Sequence, residues 1–159
     1  MDTIQEYCNK LETIGYSVIQ KYFGDIDVDI KFRHSKNGVK KRLGVCHTEG
    51  AKQVDGVFVS ATYRKIIVNL RKVEFIEDPN GKYHDKTGKK FRKGTGIWVP
   101  REELMHTFAH EVAHIRYYKH DVKHKCFTEE LYNLIKKRYE DYGTTITGES
   151  VEREGIISN

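Results

Sequence analysis

The sequence holds no apolar run approaching the roughly 20 residues that a membrane-spanning helix requires, which argues against a helical membrane protein. No secretory leader is expected. The first residues, MDTIQEYCNK, mix acids and amides and contain no apolar h-region. Cysteine is scarce: Cys8, Cys46 and Cys126 lie far apart and form no C-x-x-C pair. That indicates neither a disulfide framework nor a cysteine zinc site, and reduced, partly buried thiols are expected. No internal repeat and no low-complexity tract interrupts the chain. The expectation is a cytoplasmic, nuclear or virion-interior protein, not secreted, with no membrane partner and monomeric by default. The 159 residues suit one domain with a modest core. The net charge of +5 permits an acidic partner such as nucleic acid without requiring one.

What is present is ordered. Thr3 and Glu6 have capping-box spacing, and Ile4, Tyr7, Leu11, Ile14, Val18 and Tyr22 recur at helical intervals, so a first helix is expected over about 3–23. Ile26, Val28, Ile30 and Phe32 alternate with polar residues and predict a half-buried strand over 26–33. Asn37-Gly38 is a hairpin signal beside the basic cluster Lys36, Lys40, Lys41 and Arg42. LGVCHT and GVFVSATY read as short strands and KIIVNLRKVEFI as a longer one, its Ile66-Ile67-Val68 run suited to a strand covered on both faces. A basic hairpin insertion follows at about 77–98, in which Lys82, Lys86, Lys89, Lys90, Arg92 and Lys93 are interleaved with Tyr83, Phe91 and Trp98. Pro100 opens a helix whose apolar stripe is Leu104, Met105, Phe108, Val112 and Ile115, and a last amphipathic helix spans about 122–142. Residues 143–159 read as a polar, mobile tail with room for one short strand. Strands in a run, then helices, argue an α+β domain over 1–142 with an antiparallel or mixed sheet.

The chemistry concentrates in HTFAHEVAHIRYYKHDVKHKCF, residues 106–127, which carries five histidines. His110-Glu111-Val112-Ala113-His114 matches H-E-x-x-H. Positions i and i+4 stand about 40° apart on a helix, so two imidazoles share one metal ion, while the glutamate reaches a water on that ion without ligating it. Three protein ligands and an open position describe catalytic zinc, which acidifies a water and polarises a carbonyl. Glu111 is then the catalytic base that takes the water's proton and passes it to the leaving amine. His106 shares the face, but three successive turns place the outer two ligands about 12 Å apart, so it is expected to line the cleft or contact the core. The third ligand lies after the helix: His120, six residues past His114 and just before Asp121, a good N-cap; or His124, inside the next helix; or a carboxylate such as Glu129 or Glu130. Candidate oxyanion donors near the helix are Tyr117, Tyr118, Arg116 and His106.

These residues resemble the SprT-like, or Spartan-like, zinc metalloprotease family, whose pattern is H-E-x-x-H, a variable connection, then a third histidine with an aromatic four positions later. Helix, short strands, metal helix and last helix resemble that family's compact zincin core. The resemblance covers about 1–142 as architecture and is specific at 104–131. It makes His110 and His114 zinc ligands and Glu111 the base. His120 falls on the third histidine with His124 at the aromatic position, or His124 falls on it with Phe127 one position early. Tyr117 stands where the metzincin pattern has glycine. The resemblance implies cleavage of proteins held on or crosslinked to DNA, in DNA repair. Basic residues that would meet single-stranded or duplex DNA are Lys40, Lys41, Arg42, Lys89, Lys90 and Arg92, with Tyr83, Phe91 or Trp98 stacking on bases. The competing readings are a zinc-containing nucleic-acid adaptor without proteolysis and a zinc hydrolase of small substrates.

Overall fold

A computed structural model describes residues 2–34, 43–72 and 97–142 in full, and 75–77, 83–85 and 143–147 by their backbone. Helix α1 runs from Ile4 to Phe23, and Thr3 and Glu6 close the capping box reciprocally. Next come strands β1 (Val28–Arg33), β2 (Gly44–Glu49), β3 (Lys52–Val54), β4 (Val57–Ser60), β5 (Tyr63–Asn69), β6 (Arg71–Lys72), β7 (Phe75–Glu77), β8 (Tyr83–Asp85) and β9 (Ile97–Trp98). Helices α2 (Arg101–Ala113) and α3 (Val122–Thr147) complete the α+β arrangement. Among the described residues no helix is long and apolar enough to cross a membrane.

The main sheet has the order β1-β5-β2, with β1 parallel and β2 antiparallel to the central β5. β5 carries the Ile66-Ile67-Val68 run and, among the described residues, is the strand of the three that is paired on both edges. Val28, Ile30, Ile66 and Val68 are buried on one face, against the helices. On that side α1 contributes Leu11, Ile14 and Val18, α2 contributes Leu104, Met105, Phe108 and Val112, and α3 contributes Phe127, Leu131 and Ile135. The stripe expected on the metal helix is therefore the one that is buried, and Ile115 is buried just past its end.

Gly15 marks the closest approach of α1 to this core: a Cβ there would lie 2.3 Å from the Phe108 Cζ. The Phe108 ring is fully buried beside Phe32, 5.4 Å between centroids, so it has little room to retreat. Overpacking costs ~1–3 kcal/mol, and alanine returns ~1 kcal/mol of helix propensity. A contact as short as 2.3 Å places the cost at the upper end, so Gly15→Ala is expected to lose a net ~2 kcal/mol, lowering the melting midpoint by roughly 4–8 °C. A midpoint at or above the parent value would show that Phe108 does not hold α1 at this distance.

The chain departs from its expected segmentation in four places. The first strand starts at Val28 rather than 26, with Ile26 packed against the core ahead of it. GVFVSATY is interrupted between β4 and β5. KIIVNLRKVEFI breaks at Leu70, whose N–H donates to the Arg33 carbonyl and whose own carbonyl accepts from Val99. That residue hands the chain from the main sheet to a separate β6–β9 pair. Finally, α3 continues to Thr147, past the expected end at 142. β7 and β8 form their own antiparallel pair. The Asn37-Gly38 turn, the basic residues Lys40, Lys41, Arg42, Lys89, Lys90 and Arg92, together with Phe91, and the chain from 148 on lie outside the described residues.

Candidate metal centre

Helix α2 ends at Ala113, and His114 is its C-cap. The chain must then reverse to bring any later histidine back. A tight turn begins the reversal, with backbone bonds from Ile115 to Val112, from Arg116 to Ala113 and from Tyr117 to Ala113. The β3–β4 hairpin then holds the returning segment. Phe58 N–H donates to the Arg116 carbonyl, Tyr118 N–H donates to the Gly56 carbonyl, and Val57 bridges Tyr117. Asp121 caps α3 by accepting from the His124 N–H at 3.0 Å. That bond holds the Asp121 carboxyl below its ordinary range. His120 is thus fixed between a pinned turn and a helix cap.

The Nε2 atoms of His110, His114 and His120 form a triangle with edges of 3.3, 2.9 and 3.2 Å. Nitrogens bound at 2.0–2.1 Å to one tetrahedral ion stand about 3.3 Å apart, so the triangle has the dimensions of one face of a tetrahedral coordination shell. His114 Nδ1–H donates to the Tyr117 carbonyl at 2.8 Å, which leaves the Nε2 lone pair free to face the other two rings. Burial, foremost, and the neighbouring histidines push His110 and His114 down to about 4, so both are neutral donors at ordinary pH.

A second, looser set exists. Ligand atoms of His110, His114 and His124 lie within 4.8 Å of one another, so these three could also bind a metal ion. The two sets share His110 and His114, and the choice turns on what else each remaining ring does. His124 is 2% exposed, its Nε2–H donates to the His110 carbonyl at 3.1 Å, and its ring stacks on His114 with centroids 4.1 Å apart. One of its nitrogens is therefore already engaged in supporting the helix that carries the other two. His120 is exposed and presents its Nε2 to both neighbours. The 2.9–3.3 Å edges of the His110, His114 and His120 set have the spacing of ligands on one ion.

Glu111 is 6% exposed and lines the cavity into which the triangle opens. This cavity, about 1110 Å³, is bounded by α2, by β2 and by the hairpin residues Gln53 and Phe58. Gly44 lets β2 lie directly on α2: a Cβ there would stand 3.0 Å from Glu111 Cγ, from Thr107 Cγ2 and from the Ile67 carbonyl oxygen. Cys46, on the same wall, is pushed up to about 12 by burial and then by the Glu111 charge, so it stays a neutral thiol. β2 is the edge of the main sheet, and among the described residues no strand pairs with its outer side.

The other sequence candidates separate cleanly. His106 lines the cavity but donates to Glu129 at 2.7 Å, which accounts for both residues outside the triangle. Glu130 accepts from Tyr22 at 2.6 Å. The Arg116 guanidinium lies over Phe127, 4.4 Å from its centroid, and the Tyr117 ring packs on Phe127 too. Of the oxyanion candidates, Tyr118 and His106 line the cavity. Trp98 is 51% exposed, with the His34 ring 4.9 Å and the Arg71 guanidinium 5.4 Å from its centroid. The hairpin wall was missed in the sequence, although Asp55-Gly56 between two valines is its signal. Both turn residues have positive φ, 53° and 79°.

Comparisons with protein-family models, with curated proteins and with solved structures find nothing that matches this chain.

Proposed function

We propose that this protein is a zinc-dependent metallopeptidase. The observation that carries the reading is the Nε2 triangle of His110, His114 and His120 opening into a cavity that also holds the buried carboxylate of Glu111. Three imidazoles are a donor set suited to zinc, and an open fourth position suits a catalytic rather than a structural site. Bound zinc would lower the pKa of a water toward roughly 7 and polarise the scissile carbonyl.

The remaining steps belong to the chain's own groups. Glu111 accepts the proton of the attacking water at its carboxylate and releases it to the departing amine. Its burial against β2 fixes the carboxylate's direction, so little reorganisation is needed when the proton moves. The outer edge of β2 offers backbone donors and acceptors to an extended peptide, an arrangement that orients substrate without reading its side chains. Tyr118 brings a hydroxyl to the cavity for the developing oxyanion. His124 holds the site from below, through the His110 carbonyl and the His114 ring.

We further propose that the protein substrates are presented on DNA, as the resemblance to the SprT-like family implies. Support comes from exposed Trp98 between Arg71 and His34, a platform on which an unpaired base can stack. The test is casein or histone cleavage by the zinc-loaded protein, with and without single-stranded DNA. Cleavage is expected to disappear on chelation, return with stoichiometric zinc and rise with DNA. Bound zinc and tight DNA binding without cleavage would replace the peptidase by a nucleic-acid adaptor. Cleavage indifferent to DNA would remove the DNA component alone.

A further inference from the structure

Among the described residues, Arg64 is a buried charge without a counter-ion. It sits on β5, is 5% exposed, and its Nε has no hydrogen-bond partner. Among the described residues no carboxylate lies within ion-pair distance of it. Buried guanidinium groups are ordinarily paired, because desolvation of the charge must be offset.

Its position relates it to the cavity. The Cβ direction of Gly44 points at Thr107 and Glu111, so that face of β2 is turned to α2. Alternation puts Cys46 and Thr48 on the same face. The register pairs Gly44 with Val68, Cys46 with Ile66 and Thr48 with Arg64. Arg64 therefore lies directly across from Thr48, and both Thr48 and Cys46 line the cavity. The Cys46 thiol, neutral at ordinary pH, cannot balance the guanidinium. Burial, foremost, draws the Arg64 pKa down.

We propose that Arg64 is the floor of a carboxylate-binding subsite that continues the cavity between Cys46 and Thr48, selecting an aspartate or glutamate side chain beside the scissile bond. A carboxylate there would complete the planar fork of the guanidinium, the geometry in which arginine recognises carboxylates best. The choice of substrate rests on the peptidase reading; the subsite itself does not.

The experiment has two arms. In the first, zinc-loaded protein with 15N-labelled arginine is titrated with a doubly blocked glutamate and, separately, with its glutamine counterpart. The Arg64 Nε–H resonance is expected to shift, saturably, with glutamate alone. No shift, or equal shifts with both compounds, overturns the subsite whatever the enzyme does, and this arm needs no variant to fold. The second arm compares peptides differing only by glutamate or glutamine near the cleaved bond. The parent is expected to prefer glutamate in kcat/KM by at least ~30-fold, as for a buried charge pair left half-made. Arg64→Met is expected to bring the glutamate-to-glutamine ratio of kcat/KM to near one, whatever the absolute rates. A shift without any cleavage sinks the peptidase reading and keeps the subsite. Cleavage with neither shift nor preference does the reverse.

Discussion

Glu111→Gln is expected to bind zinc as the parent protein does and to cleave casein ~10²–10⁴-fold more slowly, the contribution typical of a general base. At 1.36 kcal/mol per decade that is ~3–5 kcal/mol of barrier. The substitution is nearly isosteric, which matters because the side chain is packed between α2 and β2, where Gly44 leaves it no spare room. The amide preserves volume and one carbonyl oxygen but cannot take up a proton. Metal content, measured beside the rate, separates this outcome from collapse of the site. A variant that keeps its zinc and loses its rate identifies Glu111 as the base. One that loses both shows that Glu111 also shapes the site. Equal rates in variant and parent would remove it from the chemistry.

How much of this was legible in the sequence depends on the range of the interaction that fixes each part. The capping box at Thr3 and Glu6, the apolar stripe of α2 and the Asp121 cap are local, set by residues within one or two turns, and each is present in the structure. The central place of β5 followed from a locally dense apolar run. The segmentation of the strands did not. Leu70 ends β5 because its backbone groups bond Arg33 and Val99, partners distant in sequence that no pattern around residue 70 announces. The same holds for the site. That His110 and His114 face one cavity follows from helical periodicity. The return of the later histidines depends on a hairpin formed some sixty residues earlier in the chain, up to ~200 Å away along a fully extended chain. The signal for that hairpin, Asp55-Gly56, is local, but its use as a clamp on Arg116 and Tyr118 is not. Arg64 is the extreme case: a lysine-rich sequence gives no reason to single out one arginine, and its burial emerges only from strand register.

The third ligand separates His120→Ala from His124→Ala by two independent measurements. Apparent zinc affinities of ~10–16 kcal/mol for four-ligand sites imply ~3 kcal/mol per ligand, or about 10²-fold in affinity. His120→Ala is therefore expected to weaken zinc by ~10²-fold or more while leaving the apo-protein's melting temperature nearly unchanged, since His120 is exposed and its ring meets the neighbouring histidines at its edge rather than filling the core. His124→Ala should behave oppositely. Removing a 2% exposed ring that stacks on His114 leaves a cavity, with an expected cost of ~2–4 kcal/mol in the apo-protein. Its effect on zinc is that of a supporting residue, ~10–100-fold. Because those affinity ranges meet, stability decides between them, and a third variant sharpens the decision. His124→Phe restores a stacked ring but cannot donate to the His110 carbonyl or ligate a metal. Zinc retained by His124→Phe and lost by His120→Ala makes His120 the ligand and His124 the prop beneath it. Zinc lost by His124→Phe with the fold intact, and kept by His120→Ala, would move the third bond to His124 and leave the 2.9–3.3 Å triangle without a metal to explain it.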